Sequence, residues 1–253
     1  MSLTPRIDPA ELLDLSAALV DHLVAVPLPA PDICPLCASW RQTATEPCGS
    51  CVVTGEAVGF PIGPPTVITL YSKPSDLRDW LTRYKGRPGD LDDPFDQEAY
   101  AKVRAILGRF LLAHGSEMAA RLGPIDALIT VPSAGDRPTP HPMEAVLASL
   151  DLGTPTLPLL ARGPGELGFR KASANGYVVA QSHEPQRVLL IEDVFVTGAR
   201  IFSAARALLD GGHSIVGSLV IARRVNRDWG ECQAMWDRQA LLGYNWASSP
   251  RVM

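Results

Sequence analysis

Arg187-Val188-Leu189-Leu190-Ile191-Glu192-Asp193-Val194-Phe195-Val196-Thr197-Gly198-Ala199-Arg200 is the stretch on which the reading of this chain turns. Four consecutive branched or aliphatic residues make a fully buried type of strand, as in the middle of a parallel sheet. Two acids follow, then a short turn, then a helix over Ala199–Asp210 with Ile201, Phe202, Ala205, Leu208 and Leu209 on one face. Gly211-Gly212 stops it. Ligands of open parallel sheets bind at the carboxyl ends of the strands. A turn at Val196, Thr197, Gly198, Ala199 and Arg200 can aim backbone N–H groups at a phosphate, helped by the helix dipole and the Thr197 hydroxyl. Gly198 lets the backbone come close. Neighbouring carboxylates suit paired ribose hydroxyls. The arrangement fits a phosphorylated sugar.

Outward from this motif the pattern alternates strand and helix, which argues for a parallel sheet with flanking helices. Strands are expected over 125–131, 187–191 and 215–222, and a shorter one over 67–71. Helices are expected over 75–84 and 99–122. Residues 8–26 read as an amphipathic helix, capped by Asp8-Pro9 and stopped by Pro27 and Pro29. Residues 55–65, rich in glycine and proline, read as a linker. There is no internal repeat or low-complexity tract.

Cys34, Cys37, Cys48 and Cys51 form two Cys-x-x-Cys pairs with ten residues between them. Four thiolates so spaced can close a tetrahedron around one structural zinc, leaving no open position for a catalytic water. The alternatives are two disulfides or four unrelated thiols. A reducing cytoplasm, the compartment expected here, disfavours disulfides. Cys232 stands alone and reads as a small packed hydrophobe.

The chain has 253 residues, 20% charged and 46% hydrophobic, an ordinary soluble balance with room for a large domain and a small module. Residues 1–60 are expected to form the module and 61–253 the main domain. No stretch approaches a membrane span, and no secretory leader is evident. The first sixty residues carry two bases against seven acids; the rest carries 21 against 20. Nucleic-acid binders usually show a basic stripe, so a nucleic-acid partner is not favoured.

The strand, two acids and Thr-Gly turn resemble the signature of type I phosphoribosyltransferases. Leu77 to Gly86, ending Tyr84-Lys85-Gly86, is similar to a segment of that family. Val131-Pro132 stands where the family has its pyrophosphate loop. With the cysteine module in front, the order resembles ComF-like proteins over roughly residues 34–222. The resemblance implies an α/β type I phosphoribosyltransferase fold preceded by a zinc-ribbon-like module. It implies binding of phosphoribosyl pyrophosphate with magnesium, and transfer of phosphoribose to a nitrogen acceptor that the sequence does not identify. Glu192 and Asp193 would hold the ribose. Ser133, Arg137, Arg170 and Lys171 would join the turn in binding the donor, with Arg162 to Asn175 as a lid.

Two departures stand out. Val196 and Arg200 occupy positions where many relatives have threonine, and Arg200 either pairs with the phosphate or points to solvent. The family's Arg-Gly-Phe-Asn run is missing, leaving Arg137 as the cation of that loop. Beyond residue 222, Trp229, Trp236, Tyr244 and Trp246 are expected to pack on the domain rather than stack on a base. Rival readings are a non-catalytic sugar-phosphate sensor and an accessory factor for single-stranded DNA. The latter needs a basic face from Arg78, Arg83, Lys85 and Arg87. A homo-oligomer is compatible with the sequence.

Overall fold

A computed structural model describes residues 2–44, 46–86, 95–133, 141–179 and 184–248. Arg137 and Arg87 lie outside these. Four parallel strands form the central sheet: β1 (Thr66–Tyr71), β2 (Ala127–Thr130), β5 (Arg187–Phe195) and β6 (Ser214–Arg224). Their order is β1-β6-β5-β2, which puts β5 inside the sheet. Two short antiparallel strands, β3 (Leu160–Arg162) and β4 (Tyr177–Val179), make a separate hairpin between β2 and β5.

The strands are apolar on both sides because both faces are covered. Leu189, Ile191, Leu219 and Ile221 join one core, with α1 (Pro9–Ala17), α3 (Asp76–Arg83), α4 (Gln97–Leu122) and α5 (Pro142–Ser149) over it. Val188, Leu190 and Val220 face the other way. They pack with α6 (Ala199–Asp210), the hairpin and the four clustered cysteines in a second core. Alternation along each strand sorts the side chains between these layers. The structure is thus a parallel sheet with flanking helices and a cysteine cluster toward its amino-terminal end, as expected.

Several element bounds differ from the sequence reading. The helix expected over 8–26 is α1 alone, followed by a 3-10 turn at Val20–His22. Beyond it Val24 is extended, donating its N–H to Thr69 Oγ1 at 2.9 Å and accepting from Leu70 N at 2.9 Å. Pairing with the edge strand satisfies the backbone better than a further helical turn. The linker expected from residue 55 begins later, because α2 (Gly49–Glu56) carries the second cysteine pair at its start. β2 is shorter than expected and β6 longer. The hairpin has no counterpart in the sequence reading. The aromatic tail packs on the domain: α7 (Cys232–Leu242) lies within it, Trp246 is buried, and Trp229 meets Trp40 edge-on at 5.3 Å.

Candidate functional site

β5 runs through both acids to Phe195, so Glu192 and Asp193 are strand residues rather than the start of a turn. Their side chains therefore diverge to opposite sides of the sheet. Asp193 meets the end of α3: Tyr84 Oη donates to its Oδ2 at 3.0 Å, and Lys85 Nζ pairs with the same oxygen. Glu192 meets α6, with Arg200 Nε at 3.4 Å from its Oε1. Both carboxylates are buried, at 2% and 4% exposure. Glu192 Oε1 and Arg200 Nε have no hydrogen bond among the described residues, so this pair is in Coulomb contact but incompletely satisfied.

The two acids titrate in opposite directions. Burial pushes Glu192 up to about 7, reinforced by Asp193 and opposed by Arg200 and Lys85. Burial also acts to raise Asp193, but Lys85, Arg200 and the Tyr84 hydroxyl outweigh it and hold the group below its ordinary value. Burial works against the charge on Arg200, yet Glu192 and Asp193 raise it overall.

After Phe195 the chain turns through Gly198 at φ +84°, left-handed, and enters α6 with no side-chain cap. A Cβ on Gly198 would lie 2.8 Å from Phe195 Cζ and 3.0 Å from Phe202 Cε2. Only glycine makes this turn unstrained. Thr197 is clamped on two sides. Its carbonyl accepts from Thr54 Oγ1 of α2 at 2.9 Å, and its hydroxyl accepts from the Arg170 N–H at 3.3 Å.

Glu192, Val196, Thr197, Gly198, Ala199 and Arg200 line one cavity of about 240 Å³, closed on one side by Gly168 and Phe169 of the hairpin loop. The other sequence-predicted residues are distributed around it. Arg170, at φ +57°, donates to Ser50 Oγ at 2.9 Å. Lys171 turns outward to Glu166 at 2.7 Å. Ser133, three residues past the end of β2, bonds His141 Nε2 at 2.6 Å, the residue that caps α5. Arg200 lines the cavity rather than pointing to solvent: besides Glu192 it reaches the Pro132 carbonyl at 3.2 Å, tying α6 to the segment after β2. Tyr177 Oη bonds the same carbonyl at 2.9 Å. The described bases of the face considered for nucleic acid are internally paired. Arg78 contacts Asp79, Arg83 contacts Asp96, and Lys85 contacts Asp193.

Sequence reasoning missed the roles of Tyr84, Lys85 and Tyr177. The Tyr84-Lys85-Gly86 segment carried the signal for the first two, since a lysine after an aromatic helix end is positioned by the ring. Nothing local marks Tyr177.

The sulfur atoms of Cys34, Cys37, Cys48 and Cys51 lie within 4.8 Å of one another, all buried. Zinc–sulfur bonds of ~2.3 Å put tetrahedral sulfurs ~3.8 Å apart, so the set fits zinc. Cys37 and Cys48 are 3.6 Å apart. Arg223, buried at the end of β6, donates to the Cys37 carbonyl at 3.1 Å and approaches its sulfur at 3.6 Å. With a divalent metal bound, its cation would offset the excess negative charge of the four thiolates.

No protein-family model and no curated relative matches this chain. Solved structures similar to it include adenine phosphoribosyltransferase from Leishmania tarentolae, at 16% identity and a TM-score of 0.33, covering 63% of this chain and 92% of that one. The enzyme from Trypanosoma brucei, in complex with AMP, pyrophosphate and ribose-5-phosphate, aligns at 15% identity and 0.32, over 63% and 84%. That from Thermoanaerobacter pseudethanolicus aligns at 14% and 0.31, over 56% and 97%. Likeness at this level carries no argument about activity.

Proposed function

We propose that the chain binds phosphoribosyl pyrophosphate at the carboxyl edge of its sheet and transfers the phosphoribosyl group to a nitrogen acceptor. The observation that carries this reading is the left-handed turn at Gly198, which opens the head of α6 onto a cavity walled by Glu192. The ribose phosphate sits against the N–H groups of residues 197–200, where the helix dipole favours an anion. Binding energy from this remote group positions the anomeric carbon. Glu192, whose buried oxygen lacks a hydrogen bond, accepts from a ribose hydroxyl. Asp193 acts by fixing Lys85, which with Arg200 supplies positive charge beside the donor. A carboxyl poised near neutrality is also suited to take a proton, and among the described residues Glu192 is the carboxyl that meets that requirement.

Magnesium would enter with the donor: Glu192 is the carboxylate that walls the cavity, whereas Asp193 is paired with Lys85 on the other side of the sheet, and a bound ion would supply charge neutralisation on the pyrophosphate. Ser133 and Arg137 belong to the pyrophosphate side. The loop over 162–175 excludes water as a lid. Zinc at the four cysteines is structural. Calorimetry with phosphoribosyl pyrophosphate and magnesium tests the reading, and absence of binding by folded protein rejects it.

One observation favours a second reading, that of a sugar-phosphate sensor without turnover. Both acids already hold cations of the chain itself. Donor binding without pyrophosphate release, across a panel of nucleobases and amines, would select it.

A further inference from the structure

A second cavity, of about 140 Å³, adjoins the first through Phe169, Val196 and Thr197. Its cationic lining is Arg170, Arg223 and Arg224, with no carboxylate, and Cys48 of the cysteine cluster forms part of the wall beside Arg223. Arg223 is committed to the cysteine cluster. The other two are not neutralised. Arg170 donates to an uncharged hydroxyl and lies over the Phe169 ring at 5.5 Å. The Arg224 side chain makes no hydrogen bond or ion pair among the described residues. Trp229 and Phe169 bring aromatic rings to the same wall, 38% and 68% exposed. A planar guanidinium recognises a carboxylate by matched geometry, and exposed rings beside it select a flat partner.

The cavity's place in the sheet gives it a role. β2 and the described residues after it, to Ser133, flank β5 on one side, and the end of β6 flanks it on the other. In-line displacement at the anomeric carbon puts nucleophile and leaving group on opposite sides of that carbon. With pyrophosphate leaving over the β2 loop, the nucleophile enters from the β6 side.

We infer that the second cavity holds the acceptor, and that the acceptor is a small, flat ring carrying a carboxylate, bound by Arg170 and Arg224 and stacked on Phe169 or Trp229. This rests on the phosphoribosyl-transfer reading above. The ring or amine nitrogen gives its lone pair to the anomeric carbon. The carbon–oxygen bond to pyrophosphate breaks with its electron pair on the departing oxygen, and any N–H proton displaced from the acceptor passes to water.

The test uses full-length protein with bound metal and three matched pairs: nicotinate and nicotinamide, orotate and uracil, anthranilate and aniline. Donor affinity is measured first by calorimetry, then affinity for each compound and pyrophosphate release. At least one acid is expected to bind about tenfold tighter than its neutral partner, the worth of one charge-assisted contact. That preference is expected to vanish in Arg224→Gln, return in part in Arg224→Lys, and weaken in Trp229→Leu, each variant being checked for an unchanged melting temperature because Trp229 packs on Trp40. If the donor binds but no acid is preferred, or the preference survives in both Arg224→Gln and Trp229→Leu, the acceptor assignment falls and the transfer reading stands. If an acid binds through Arg224 but the donor does not bind, the transfer reading fails and takes the acceptor role with it.

Discussion

Glu192 and Asp193 are adjacent, equally buried, and respond to pH in opposite ways, because alternation gives them different neighbours. Glu192 titrates near 7 when folded against 4.5 ordinarily, so between these values the folded chain holds a proton the unfolded chain has released. Its contribution to stability therefore falls as pH rises through that window. Asp193 lies below its ordinary 3.8, so its contribution is present above that value and lost as pH falls through its lower folded value. Urea unfolding from about pH 5 to pH 7.5 is expected to show a Glu192-dependent decline on the order of 1–3 kcal/mol, flattened in Glu192→Gln. An identical pH slope in the variant would contradict the shift. Asp193→Ala removes the carboxylate that pairs with Lys85, whose side chain is 14% exposed, and is expected to lower stability, read as a reduced urea midpoint. Lys85→Met alone should also destabilise, with the double variant far less affected than the two losses added. Additive losses would mean the pair is not coupled. Chemically, both acids were legible in the sequence; their divergence was not. The apolar run reads as a strand ending at Ile191, whereas the strand runs through both acids and on to Val194 and Phe195, which sets the acids on opposite faces.

At the scale of elements, the turn into α6 is held from both sides. Phe195 and Phe202, 6.1 Å apart edge-to-face, fill the space a Cβ at position 198 would need. Gly198→Ala is expected to lose roughly 1–3 kcal/mol, from left-handed strain and displaced rings, readable as a lowered melting temperature. No change would mean the turn relaxes. α2 supplies the second support through Thr54. Thr54→Val keeps the shape and removes its hydrogen bond to the Thr197 carbonyl, with ~1 kcal/mol lost and weaker donor binding expected by calorimetry. Thr-Gly before an amphipathic run made this element readable, and α6 spans the residues the pattern gave. The hairpin escaped because three-residue strands among glycines and prolines are too short for any periodicity to register. α1 was overdrawn for the opposite reason: its apolar spacing continues past Ala17, but the extra residues bond an edge strand that no local pattern announces.

Across the whole molecule, the four cysteines share one core with the sheet face under α6 rather than forming a cluster of their own. Elemental analysis is expected to find about one zinc per chain. Chelation, or Cys34→Ser with Cys48→Ser, should lower the melting temperature of the chain in one transition; retained melting behaviour without metal would refute a structural ion. The doubled Cys-x-x-Cys spacing made the ligand set legible, but its cover was not, because Arg223 lies far along the chain. That distance has a consequence for how the protein is made. The ribosome adds roughly 170 residues between Cys51 and Arg223, which at ~5–20 residues per second takes about 10–30 s. Through that interval the nascent chain presents four thiols whose lid has not been translated. Metal captured early would protect them from oxidation and fix both knuckles before β6 arrives, and synthesis with zinc present is then expected to yield more native protein than zinc added after release.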